Sequence, residues 1–147
     1  MHKITLIFGS VYGSAHYVAT EMEKALRQLG HEVDLIEEPS AQQIAAADIL
    51  LIVTSTTGEG ELPIRLHPLL QALQSKRVTL EGLSYALVAL GDSSYTHYCG
   101  GGRSLASALD ACGAAALAPA LELDTSHCLN PEDEALPWAL RLIEEHT

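Results

Sequence analysis

A chain of 147 residues fits a single domain, 1–147, and is long enough to bury a full core. It is 48% hydrophobic and 18% charged, and no apolar run approaches the roughly 20 residues of a membrane-spanning helix. Eight Lys and Arg face 19 Asp and Glu, a formal charge of −11, which argues against nucleic-acid binding and favours a basic protein partner.

The opening MHKITLIFGS carries an apolar run too short, with a sequel too polar, for a signal peptide, so a cytoplasmic protein is expected. Cys99, Cys112 and Cys128 form no CxxC pair and leave one over, and the seven histidines show no ligand spacing. Reduced thiols and no metal are expected.

Residues 4–8 read as a buried strand. Ala15, Val18, Ala19, Met22, Leu26 and Leu29 then recur at helical spacing, and Gly30 stands where a helix-ending glycine belongs. Residues 33–36 form a second strand. Ser40 with Gln43 is a capping-box pattern that opens a short helix through Ala47. Residues 49–53 are apolar without alternation, as in a central parallel strand covered on both faces. A helix over 63–75 accepts Pro63 in its first turn, whereas Pro68 calls for a later start or a bend. Residues 85–90 form a fourth strand, followed by a glycine-rich loop and a helix from about Arg103 to Cys112. The fifth strand, 117–123, contains Pro119 and belongs at an edge. Asn130, Pro131 and three acids open the last helix.

Strands interleaved with helices predict an α/β doubly wound parallel sheet of five strands, with helices on both faces. Ligands of such sheets bind beyond the carboxyl ends of the strands, here at loops 9–15, 55–63 and 91–102. The first, within TLIFGSVYGSA (5–15), has no Lys or Arg. Main-chain N–H groups at a helix start can hold a phosphate without a cation, aided by the Ser10 and Ser14 hydroxyls and the close approach that Gly13 permits. A plain capped turn is the competing reading. Walker A and GxGxxG patterns are both absent. The second loop, within TSTTGEGELP (54–63), is polar with two glycines. The third, LGDSSYTHYCGGG (90–102), holds Tyr95 and Tyr98. With Tyr12, three of only seven aromatic residues lie in these loops, an arrangement suited to stacking on a planar ring.

Taken together and in order, these motifs resemble the flavodoxin family, most closely its short MioC-type members. They are also similar to the FMN domains of diflavin reductases such as the sulfite reductase flavoprotein. The likeness spans nearly the whole chain and lacks the last-strand insertion of long-chain flavodoxins. It implies strand order 2-1-3-4-5 and FMN as cofactor. By the resemblance, Ser10, Val11, Tyr12, Gly13, Ser14 and Ala15 cradle the phosphate. Ser55, Thr56, Thr57 and Gly58 run along one side of the ring. Leu90, Gly91, Asp92, Tyr95, His97, Tyr98 and Cys99 wrap it, with Tyr95 the stacking candidate, and Asp124 stands nearby. Tyr12 replaces a frequent Thr, and Thr57 stands where diflavin domains carry an aromatic residue, so weaker cofactor affinity and shifted potentials are expected.

The implied function is one-electron transfer, without catalysis of its own, from a basic reductase of the flavodoxin/ferredoxin-NADP reductase type to acceptor redox enzymes, biotin synthase among them. Gly58 would let the preceding carbonyl turn toward a proton gained by the ring. Two rivals stay open: an NAD(P)H-dependent FMN quinone reductase, and a non-redox protein with a vestigial flavin site. Ser10 or Ser14 with His16 lacks an acid partner for hydrolase chemistry. A receiver domain would need acids at the ends of the first and third strands, where Gly9-Ser10 and Thr54-Ser55 stand.

Overall fold

The computed structural model describes residues 3–10, 13–56, 62–75, 78–92, 99–125 and 130–146. Strand β1 (Lys3–Gly9) leads into helix α1 (Ser14–Gln28), and β2 (Glu32–Ile36) into the short α2 (Ala41–Ala45). Strand β3 (Ile49–Ser55) is followed, after residues 57–61, by a 3-10 turn, Ile64–Leu66, that runs directly into α3 (His67–Gln74). Then come β4 (Ser84–Gly91), α4 (Gly100–Ala111), β5 (Ala115–Ala116), β6 (Leu121–Asp124) and α5 (Glu132–His146). Among the described residues all pairings are parallel, in the order β2-β1-β3-β4-β5, with β6 also on β4.

The uninterrupted apolar strands are explained by two cores. Ile4, Leu6 and Phe8 of β1, with Ile49, Leu51 and Val53 of β3, point to one face, where α1 and α5 cover them through Val18, Met22, Leu26, Ala139 and Ile143. Ile7, Leu50, Ile52 and Leu87 point to the other, under Ile44, Leu69, Leu73, Leu105 and Leu109 of α2, α3 and α4. Alternate side chains thus meet different helix layers, so neither face tolerates a polar period.

Local signals hold in detail. Ser40 Oγ accepts from the Gln43 N–H at 3.1 Å while Gln43 Oε1 accepts from the Ser40 N–H at 2.9 Å, which closes the capping box. Gly30 follows α1 with φ +91°, where a side chain would be strained. The Asp133 N–H donates to the Asn130 carbonyl, and Glu132, Asp133 and Glu134 fill the first turn of α5.

Two expectations change and a third is met. The fifth strand is not continuous: it breaks into β5 and β6, and Pro119, which has no N–H to give a ladder, lies in the interruption. Helix α3 starts later than residue 63, as Pro68 requires: the 3-10 turn takes up residues 64–66, the helix begins at His67, and Pro68 stands in its first turn. Helix α4 begins at Gly100 rather than near Arg103. Of its three opening glycines, Gly102 lies hard against the sheet. A Cβ on Gly102 would stand 2.8 Å from the Ala89 Cβ.

Candidate functional site

The register aligns the carboxyl ends of the strands. Gly9 pairs with Thr54, Ser55 with Leu90, and Gly91 with Asp124, so the three loops singled out in the sequence leave the sheet along one edge. Val11, Tyr12, Thr57, Gly58, Tyr95, His97 and Tyr98 lie outside the described residues.

At the first loop, the Ser10 Oγ accepts from the Gly13 N–H at 2.6 Å. Gly13 caps α1 with φ +89°, a conformation that glycine adopts without a steric cost. The first intrahelical bond runs from the Tyr17 N–H to the Gly13 carbonyl, 3.0 Å. No side chain caps this helix, and no acid stands in its first turn. The main-chain donors of Ser14, Ala15 and His16 therefore precede the first helical bond, with the positive end of the dipole behind them. His16 is used in packing: its ring lies parallel to Phe8, centroids 4.6 Å apart at 8°.

In the sequence Gly9 reads only as the start of the first loop, yet it also lets the 3-10 turn settle on the end of β1. A Cβ there would meet Leu66 Cδ1 at 2.6 Å and Pro63 Cγ at 3.2 Å. At the end of β3, the Thr54 hydroxyl donates to the Ser55 carbonyl at 2.9 Å. The next hydroxyl differs. Thr56 Oγ1 is buried and has no hydrogen-bond partner. Such a group costs about 1–3 kcal/mol unless something satisfies it.

The third loop leaves β4 at Leu90 and Gly91. Leu90 belongs to the core beneath α1 and α5, so its main chain rather than its side chain borders the loop. The Gly91 carbonyl accepts from both the N–H (2.7 Å) and the hydroxyl (3.1 Å) of Thr125, which fastens β4 to the end of β6 and sets Asp92 and Asp124 at neighbouring strand ends. Thr125 was not foreseen; its only signal is a hydroxyl immediately after the last strand. Cys99 closes the loop as the cap of α4, with φ 54°. Its thiol is fully buried and 3.7 Å from the Ala89 carbonyl, so the side chain is turned into the core.

A clamp outside the predicted set braces this corner. Arg103 Nε and Nη2 donate to the two Glu122 oxygens at 2.7 and 2.8 Å, joining α4 to β6. The Arg103 hydrogen bonds hold the Glu122 carboxyl below its ordinary pKa, against a smaller opposing effect of burial. Its folded value lies below its unfolded one, so the pair stabilises above the ordinary carboxylate range and loses that contribution as pH falls through the lowered value. Glu122→Gln should thus be less stable than the parent at pH 7, the gap closing below about pH 4. Urea midpoints at several pH values check this; a gap that persists in acid would contradict it.

With this geometry in hand, the chain can be set beside known proteins. The flavodoxin family model matches residues 6–138. The chain is a member of the flavodoxin family. It is similar to flavodoxin YqcA of Pectobacterium carotovorum subsp. carotovorum, 39% identical over 140 residues that cover 94% of this chain and 93% of that protein. Protein MioC of Escherichia coli K12 is 31% identical over 138 residues, 94% of each chain. A mutant flavodoxin of Pseudomonas aeruginosa superposes with a TM-score of 0.85 at 37% identity, covering 97% of this chain and 95% of that one. Membership bears out the resemblance, and the observed sheet bears out the strand order that it implied. Among the described residues, no helix of this flavodoxin is long and apolar enough to cross a membrane.

Proposed function

We propose that this flavodoxin binds FMN at the strand-carboxyl edge and carries single electrons from a basic NADP-linked reductase to acceptor enzymes, in the cytoplasm and without a reaction of its own. Flavodoxins are FMN proteins. The observation that carries the reading to this chain is the buried Thr56 hydroxyl, which has no partner, at the same edge as a helix start that no side chain caps. Both features are costly or idle without a ligand and useful with one. The buried thiols of Cys99 and Cys112, neither in a disulfide, suit a reducing compartment.

Bound FMN supplies the one-electron chemistry. The residues of this chain bind and tune it. Ser10 accepts from Gly13 through a lone pair and keeps its hydroxyl proton to donate to a phosphate oxygen. Apart from that of Gly13, the N–H groups of the first loop, from Val11 to Ala15, would supply the remaining donors. Ser55, Thr56, Thr57 and Gly58 would line one side of the ring, and Tyr95, Tyr98 and His97 would supply aromatic surface on the other. Cys99, Leu90 and Gly91 serve through their main chain. Asp92 and Asp124 place negative charge at the edge, which opposes a further negative charge on the ring and so lowers the potential at which it accepts electrons. A net charge of −11 speeds encounter with a basic reductase. Biotin synthase is one acceptor that the likeness to MioC offers.

The test is direct. Protein reconstituted with FMN should be yellow, and NADPH should reduce it only when a flavodoxin reductase is added. A protein that stays colourless would overturn the cofactor assignment. One that passes electrons from NADPH to a quinone unaided would instead be a reductase.

A further inference from the structure

This inference rests on the carrier reading, because a carrier must present its cofactor edge to a partner. Three large apolar side chains are exposed among the described residues: Tyr17 at 54%, Leu29 at 63% and Ile64 at 78%. A solitary exposed side chain of this kind is ordinary. The setting of Ile64 is not. Leu29 follows the far end of α1, away from the strand-carboxyl edge, and Tyr17 has a polar phenol tip close to Glu21. Ile64 stands in the 3-10 turn that follows the second loop, with no polar tip, while Leu62, Pro63 and Leu66 around it are buried. Pro63 and Leu66 seat on Gly9, so the turn cannot roll Ile64 inward without lifting from the end of β1. Next to it, Arg65 is held by Glu37 at 2.7 Å and Glu38 at 3.3 Å, two carboxylates against one cation. A fixed apolar group therefore projects beside a net negative cluster at the edge of the site.

We propose that Ile64 is the apolar anchor on which the donor reductase docks. It would enter an apolar depression on a reductase whose surrounding Lys and Arg side chains face Glu37 and Glu38. Interfaces of this kind draw their affinity from a few buried apolar anchors, with charges at the rim setting the encounter rate.

The experiment uses FMN-loaded protein as substrate of an NADPH-dependent flavodoxin reductase. Ile64→Ser should raise the KM for the carrier about tenfold, leaving kcat, FMN affinity and the visible spectrum unchanged. Ile64→Leu should stay near the parent, and Leu29→Ser should match it. Glu37→Gln with Glu38→Gln should slow association and flatten its salt dependence. An FMN-loaded Ile64→Ser protein with the parent KM overturns the docking assignment alone. A parent protein that takes up no FMN, or that loads and is never reduced, overturns the carrier reading and this inference with it.

Discussion

Gly102→Val should lower the stability of the folded protein by about 3 kcal/mol. The new Cβ would stand 2.8 Å from the Ala89 Cβ and 3.3 Å from Leu87 Cδ2. The Ala89 methyl has no torsion with which to yield, so α4 must rise off β4. Replacing a helical glycine recovers well under 1 kcal/mol of propensity for a β-branched residue, too little to offset the clash. Helix α4 also carries Cys99 at its cap and Arg103 in its clamp, so FMN affinity should fall with stability. Urea unfolding monitored by circular dichroism reports the first effect and flavin titration the second. A midpoint equal to that of the parent would show that α4 does not bear on the sheet as described.

Thr56→Val should separate binding from folding. Valine matches threonine in shape and removes a buried hydroxyl that has no partner. The apoprotein should be as stable as the parent or more stable by about 1 kcal/mol, because a desolvated polar group is gone. FMN affinity should drop about tenfold, since the ligand loses a hydrogen bond of about 1.4 kcal/mol. The two effects have opposite signs, which a purely structural threonine would not produce. The same pair of titrations checks it; unchanged FMN affinity would contradict the assignment of Thr56 to the cofactor.

Much of the frame was legible because it rests on local rules. Apolar runs at 4–8 and 49–53, the capping box at Ser40 and the glycine at 30 each mark an element through its own chemistry. The loops could be placed because strand ends in parallel sheets converge on one edge, and the registers of Gly9, Ser55 and Gly91 show that convergence. What stayed hidden depends on contacts between distant segments. Nothing near Gly9 in the chain announces Leu66, and nothing near Gly102 announces Ala89. The Arg103–Glu122 clamp and the two hydrogen bonds from Thr125 to the Gly91 carbonyl join residues 19 and 34 positions apart. Cys99 read as a loop residue, but its thiol turns into the core because the helix starts at the next residue. The break at Pro119 was half visible: a proline at an edge could be tolerated or could divide the strand, and here it divides it.

The central claim is that main-chain donors at the start of α1, with no cation among them, hold the phosphate of a flavin. Calorimetric titration of the apoprotein with FMN, and then with riboflavin, tests it most directly. The account predicts one FMN per chain with exothermic binding, and riboflavin weaker by at least about tenfold, the loss expected when a charged group and its hydrogen bonds are removed. No heat with FMN, or equal affinity for the two flavins, would contradict it.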